Sequence, residues 1–176
     1  MEKLIVDDDL YLSPPTDADK EALVSHLNDE EIYRYTLRIP YPYTHKDAQD
    51  FLNLCRDQRK QYGRNLHWLI RRTNGEAIGC IGFHLSFGTD SHRDELGYWM
   101  ARSYRGYGFM TKSIKKFCEY GFSYIGLIRI EAVLFDDNKA SQRVLEKNEF
   151  KYEGLMKKIH EKKGKYFDGR MYALVK

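Results

Sequence analysis

The residues with the clearest chemical purpose run Arg105-Gly106-Tyr107-Gly108-Phe109-Met110-Thr111. Two glycines directly before a helical pattern free backbone N–H groups to converge on an anion at the positive end of the helix dipole. A phosphate suits such a site. A dinucleotide fingerprint, Gly-x-Gly-x-x-Gly, would need glycine where Thr111 stands, and no suitably placed acidic residue closes a ribose contact. A nucleotide-triphosphate loop would use Lys112 and Ser113 for phosphate and magnesium, yet Thr111 replaces the glycine that lets the backbone wrap the phosphates. The plainest alternative is a tight strand-to-helix turn that needs glycine for its geometry alone. A second polar set, Asn138 and Ser141, has a spacing of three that puts both groups on adjoining helix positions, where they would also serve as ordinary caps. The six His and three Cys lack the spacing of metal ligands.

Hydrophobic periodicity supplies the elements that hold these groups. Asp17 to Leu27 reads as a helix, with Ala22, Leu23 and Leu27 on one face, and Thr44 as the N-cap of a helix through Ala48, Phe51, Leu52 and Cys55. The runs His67–Arg71 and Ala77–Phe83 flank Thr73-Asn74-Gly75, the signature of a hairpin. Glu95–Met100 reads as a strand that enters the glycine loop, followed by a helix over Thr111–Tyr124 in which Ile114, Phe117, Cys118 and Phe122 recur at helical spacing. Ile128–Phe135 is a further strand. Asp136-Asp137-Asn138 then opens a short helix through Ala140, Val144 and Leu145, and two closing strands surround Lys163-Gly164. The class is α+β, a mixed and mostly antiparallel central sheet with helices on both faces.

The chain has 176 residues, 42% hydrophobic and 31% charged, which suits one domain spanning 1–176 with a core that needs no disulfides. Cys55, Cys80 and Cys118 fall inside apolar patterns and read as reduced packing thiols, which fits a cytoplasmic home. Leu4-Ile5-Val6 runs into three aspartates, so no signal-peptide core is expected, and no stretch approaches the ~20 apolar residues of a membrane span. A net charge of +3, with the basic run Lys157 to Lys165 interrupted by Glu161, gives little support to a nucleic-acid partner.

Several separated segments, spanning nearly the whole chain, resemble the RimJ/RimL-type branch of the GNAT superfamily of N-acetyltransferases. The family pattern Arg/Gln-x-x-Gly-x-Gly/Ala lands on Arg105, Gly108 and Met110, where Met110 departs from the small-residue preference. Leu12-x-Pro14-Pro15-Thr16-x-Ala18-Asp19 and Leu27-Asn28-Asp29-Glu30 are similar to the first strand and helix, with Ser13 standing where that branch usually has arginine. Ile39-Pro40-Tyr41-Pro42-Tyr43-Thr44 follows. Glu95–Met100 resembles the strand that splays from its neighbour, and Asn138-x-x-Ser141-x-x-Val144-Leu145-Glu146-Lys147 resembles the coenzyme A helix. That helix normally ends Gly-Phe. Here Glu149-Phe150 follows Asn148, which predicts a different turn or Asn148 in the left-handed conformation. Tyr152-Glu153-Gly154 and Gly164-Lys165-Tyr166-x-Asp168-x-x-x-Tyr172 resemble the closing strands.

The resemblance implies acetyl-CoA as cosubstrate without a metal, bound by Tyr98, Trp99 and Met100 of the splayed strand, by the loop from Arg105 through Gly106, Tyr107, Gly108, Phe109 and Met110 to Thr111, and by Asn138 and Ser141. It implies direct attack of an amine on the thioester, with the Trp99 or Met100 N–H donating to the developing oxyanion. Glu95 is the expected base, with His84 and His67 in reserve, and Ser141 or Tyr152 would hold or protonate the sulfur. Asp168 reads equally as a turn residue or an acceptor-site carboxylate. Tyr33, Tyr35, Tyr41 and Tyr43 suggest an aromatic-walled acceptor cleft for a small-molecule amine or a protein N-terminus. A homodimer is plausible for the family. A non-catalytic acyl-CoA sensor of the same fold would keep the loop and need no base.

Overall fold

Short runs of alternating burial pair into one eight-stranded sheet, in spatial order β1-β2-β3-β4-β5-β6-β8-β7. The computed structural model describes residues 2–176. The strands are β1 (Leu4–Ile5), β2 (Leu10–Ser13), β3 (His67–Arg72), β4 (Ala77–Phe83), β5 (Arg93–Met100), β6 (Arg129–Phe135), β7 (Lys151–Lys162) and β8 (Lys165–Val175). The helices are α1 (Lys20–Leu27), α2 (Glu30–Arg34), α3 (His45–Tyr62), α4 (Phe109–Tyr120) and α5 (Lys139–Lys147). Every neighbouring pair of strands is antiparallel except β5 and β6, which run parallel.

Period-two alternation sends side chains to two separate cores. On one face Trp68, Ile70, Ile81, Phe83 and Leu96 pack with Ile114 and Phe117 of α4 and Leu145 of α5. On the other, Leu69 and Cys80 pack with Leu23 and Leu27 of α1, Ile32 of α2 and Leu52 of α3. β4 lies between both cores and is buried along its whole length. Helices therefore cover both faces, as the sequence predicts. Thr44 caps α3 with a reciprocal Asp47 bond, and Gly63 ends it in the left-handed conformation at φ 66°.

Several boundaries differ from expectation. The Asp17–Leu27 helix opens as a 3-10 turn, Asp17–Asp19. Asp19 accepts from the Thr16 N–H at 2.7 Å and from two Arg71 nitrogens at 2.7 Å each. Arg71 Nε also donates to Ser13 Oγ at 2.7 Å, so the guanidinium of this buried corner comes from β3. The helix expected from Thr111 begins two residues earlier, with Gly108 as N-cap, and ends at Tyr120 before a π-helical turn, Gly121–Ile125. Gly121 sits against Phe83, where an added Cβ would come within 2.8 Å of the ring. After α5 the left-handed residue is Glu149 at φ 66°, while Asn148 keeps φ −100°. Glu149 therefore adopts the glycine conformation itself. The two-residue β1 and the five-residue α2 were not expected from periodicity, which neither is long enough to display.

Candidate active site

β5 and β6 pair over only three positions, Arg93↔Arg129, Asp94↔Ile130 and Glu95↔Glu131. Past Glu95 the strands part. β5 continues paired only to β4, through Met100↔Gly79, while β6 continues paired to β8. The bonds from His84 N to Glu95 O and from Ala101 N to Ile78 O set the phase of β5. By alternation, the N–H and C=O groups of Leu96, Tyr98 and Met100 point away from β4 into the gap. The Trp99 amide points to β4, which leaves Met100 as the member of the expected Trp99/Met100 pair that faces the fork.

The glycine loop sits at the open end of this fork. Gly106 and Gly108 hold φ 88° and 79°, in the left-handed region that favours glycine, and a Cβ on either would meet nothing within 4 Å. α4 starts at Phe109 with no side-chain cap, so its first N–H groups lack intrahelical partners and face open space. Phe109 and Met110 are buried on the other side of the loop, which explains why a large residue is tolerated at Met110. Thr111 is half-buried in the first turn. Tyr107 is exposed and stacks on Phe109 at 5.7 Å. Lys112 is ion-paired with Asp7 at 2.6 Å, and Ser113 is fully buried with its hydroxyl unpartnered. The burial of Ser113 and the engagement of Lys112 by Asp7 count against the nucleotide-triphosphate reading.

Arg105 is committed elsewhere. Its Nε donates to the Met100 carbonyl at 3.0 Å, and its two terminal nitrogens donate to Glu31 at 2.6 Å and Asp29 at 3.0 Å. Its backbone N–H donates to Arg102 O at 3.3 Å. Nothing in the sequence pattern signals these contacts.

Across the fork, Asn138 caps α5 by accepting from the Ser141 N–H at 3.1 Å. The Tyr98 hydroxyl lies 3.5 Å from the Ser141 carbonyl oxygen, so β5 and α5 meet at the two residues expected to flank the cofactor. Burial pushes the Tyr98 phenol well above its ordinary range. Tyr152 does not join them. It lies on the outer strand β7, three strand spacings or about 14 Å from β5. There it is half exposed and packs on Tyr172 at 5.6 Å. Asp168 is not a turn residue: it bridges the bulge of β7 through Lys157 Nζ and the Lys158 N–H, both at 2.9 Å, while its carbonyl accepts from the Asp136 N–H just past the end of β6.

On the opposite face, Glu95, His84 and His67 form one polar row. His84 Nδ1 is 3.9 Å from Glu95, whose other oxygen accepts from Ser86 Oγ at 3.1 Å. Both imidazoles lie over glycines. A Cβ on Gly97 would approach His84 Nε2 to 2.3 Å, and one on Gly82 would approach His67 Nδ1 to 2.5 Å. Burial, then each other and Arg38, lowers His67 to about 4. Burial and Arg38 also lower His84 against a smaller opposing pull from Asp94. Both rings are neutral bases at pH 7. Asp94 accepts three backbone N–H bonds from Leu85, Ser86 and Glu95, yet burial outweighs them and raises its carboxyl.

A groove of about 1010 Å³ is lined by α2 with Tyr33, by Tyr35 and Tyr41 beyond it, and by Arg102 and Ser103 just past the end of β5. Tyr43 is buried in the second core and is not part of the wall. Among the described residues no cluster of metal-ligating side chains occurs, and no helix is long and apolar enough to cross a membrane.

Comparison with known proteins gives concordant findings. The family described as "Acetyltransferase (GNAT) domain" matches residues 9–151. An uncharacterized N-acetyltransferase of Bacillus subtilis, YoaA, is 34% identical, covering 96% of this chain and 94% of its own. The putative ribosomal N-acetyltransferase YdaF of the same organism is 25% identical over 95% and 90% of the two chains. Among solved structures, the RimL ribosomal L7/L12 α-N-protein acetyltransferase in complex with coenzyme A superimposes with a TM-score of 0.87 at 24% identity, covering 99% and 98%. The microcin C7 self-immunity acetyltransferase MccE, in complex with acetyl-CoA and AMP, gives a TM-score of 0.86 at 22% identity, covering 97% and 94%.

Proposed function

The chain belongs to the GNAT family and is an N-acetyltransferase, and from that premise we propose that it transfers acetyl from acetyl-CoA directly to a primary amine held in the tyrosine-walled groove. The observation that carries this reading is the fork. An unpaired strand edge, a glycine loop with free N–H groups and the N-terminus of α5 converge on one gap. Amides of Gly106 to Thr111 hold the pyrophosphate, and the fork-facing groups of Tyr98 and the N–H of Met100, whose carbonyl Arg105 occupies, hold the pantetheine arm. Asn138 and Ser141 border it from α5.

An alkyl amine with a pKa of roughly 10.4 must lose a proton to attack, at a cost of about 4–5 kcal/mol at pH 7. Glu95, at the root of the fork, takes that proton directly or through water, and neutral His84 beside it is a second acceptor. The amine nitrogen bonds to the thioester carbon, and the carbonyl oxygen gathers negative charge opposite a fork-facing N–H of β5, that of Tyr98 or Met100, of which Tyr98 lies nearer Glu95. As the tetrahedral adduct collapses, the C–S bond breaks, and the remaining proton of the nitrogen passes through water and the Ser141 hydroxyl to the thiolate, so that Ser141 ends as it began. Tyr152, half exposed on β7 and packed on Tyr172, is the second candidate for that step. A putative ribosomal N-acetyltransferase and an L-amino acid N-acetyltransferase both occur among the relatives, and the acceptor is a protein N-terminus or a small amine.

Calorimetric titration with acetyl-CoA tests the reading. Wild type binds acetyl-CoA in preference to ATP with magnesium, and Gly108→Asp loses at least about 30-fold in affinity. A carboxylate there faces the phosphates, while the fold bears only the strain of a left-handed non-glycine residue, about 1–2 kcal/mol. No binding by wild type sinks the proposal. Binding without turnover of any amine or N-terminal peptide turns it toward an acyl-CoA sensor.

A further inference from the structure

α2 is five residues long and buries one large apolar side chain, Ile32. Its own helical bonds cannot hold it, because nucleating so short a helix is unfavourable. What holds it is a set of contacts at both ends. At its start, Asp29 caps the Glu31 and Ile32 N–H groups, and Arg105 binds Asp29 and Glu31 while also binding the carbonyl of Met100, the last residue of β5. At its far end, Arg34 pairs with Asp137 at 2.6 Å and Tyr35 packs on Phe135, the last residue of β6, with ring centroids 6.2 Å apart. Lys162 of β7 donates to the Tyr33 and Thr36 carbonyls and lies over the Tyr33 ring.

α2 therefore runs from the end of one arm of the fork to the end of the other and carries the tyrosine wall of the groove. We propose that Arg105 is a positioning residue for acetyl transfer: it holds α2 across the mouth of the fork so that the amine is presented to the thioester, and it is not a ligand of the cofactor phosphates. This rests on the fork being the acetyl-CoA site. Three of the five N–H donors of the Arg105 guanidinium, and its backbone N–H, are engaged by protein, which holds the side chain toward α2 and Met100. The free donors of the loop begin at Gly106. An arginine conserving three bonds among β5, the loop and α2 also suits its planar fork of N–H groups, which lysine lacks.

Two variants with opposite expectations under the rival role decide the matter. Arg105→Gln removes the cation, whereas Glu31→Gln removes a partner, leaves the Asp29 cap intact and releases Arg105 in part. Under the proposal both raise amide hydrogen exchange in residues 29–36 by about tenfold or more. Coenzyme A affinity, read by calorimetry, changes alike in the two variants and by no more than about threefold. Arg105→Lys recovers part of the protection. With spermidine or a serine-terminated peptide as the amine, Arg105→Gln raises the amine KM about tenfold and leaves kcat within about threefold. A loss of coenzyme A affinity in Arg105→Gln that Glu31→Gln does not share, or tighter binding in Glu31→Gln, makes Arg105 a phosphate ligand and overturns the proposal. Unchanged exchange in both variants overturns it as well, as does a fall in kcat at constant amine KM. Failure of the wild type to bind coenzyme A would instead remove the acetyl-CoA reading, and the exchange measurement would still report on the hold over α2.

Discussion

His67 and His84 show how backbone choice sets side-chain chemistry. Each imidazole occupies the volume that a Cβ would fill on the neighbouring strand, at Gly82 and Gly97. Seated this way they lie close to the backbone and poorly hydrated, which disfavours the imidazolium. The consequence for stability has a definite sign. Above pH 6.5 both the folded and unfolded chains carry neutral His67 and the group contributes nothing to the slope. Below 6.5 the unfolded chain takes up the proton first, because the folded group waits until about 4. Stability is therefore lost as pH falls from 6.5 to about 4, by up to about 3 kcal/mol from this residue. His84 adds a loss of the same sign. Urea melts at pH 7.5, 5.5 and 4.5 should show this slope, and His67→Gln should flatten part of it. An unchanged slope in the variant would mean that His67 is hydrated in the folded protein.

At the scale of elements, the turn after α5 gives the simplest prediction. Glu149 is exposed and holds φ 66°, a conformation that costs a non-glycine residue about 1–2 kcal/mol, while glycine loses roughly 0.5–1 kcal/mol to its freer unfolded chain. Glu149→Gly should raise stability by about 0.5–1 kcal/mol, seen as about 1–4 °C in the melting temperature; a lower melting point would show that the Glu149 side chain contributes more than its strain. The position also shows what was legible. The sequence marks Asn148-Glu149-Phe150 as an irregular turn, but assigning the left-handed residue needs the competing bonds, Asn148 Nδ2 to Val144 O and Glu149 N to Glu146 O, which only the folded helix end supplies. α3 was legible because its apolar residues recur at helical spacing, and β4 because an apolar run follows the Asn-Gly turn of a hairpin. α2 was not, since its position depends on Arg105, Lys162 and Asp137, each distant in sequence. The loop at Gly106 and Gly108 was readable from glycine chemistry alone, whereas the engagement of Lys112 by Asp7 was invisible without the β1–β2 turn lying against α4.

For the whole molecule, the sheet is two blocks, β1 to β5 and β6 to β8, that share only three paired positions. That division is legible as a resemblance in Glu95–Met100, yet its extent depends on where β5 and β6 fall out of register, a property of two strands and the helices on either face. A cofactor lying in the fork would touch both blocks, through β5 and the loop on one side and α5 on the other. It would bind the folded chain and not the unfolded one, so at 100 times its dissociation constant coenzyme A should stabilise the protein by about 2.7 kcal/mol, or roughly 5–10 °C in melting temperature for a chain of this size. Slower hydrogen exchange should appear at residues 96–100, 106–111 and 139–141 on both sides of the gap. β2 and β3, far from it in the strand order, should change little. Gly108→Asp should cut the stabilisation at the same coenzyme A concentration to about a third or less, with protection falling alongside it. Protection confined to the loop would mean that the phosphates bind while the arm stays out of the fork, and a thioester held there could not reach Glu95 or Ser141.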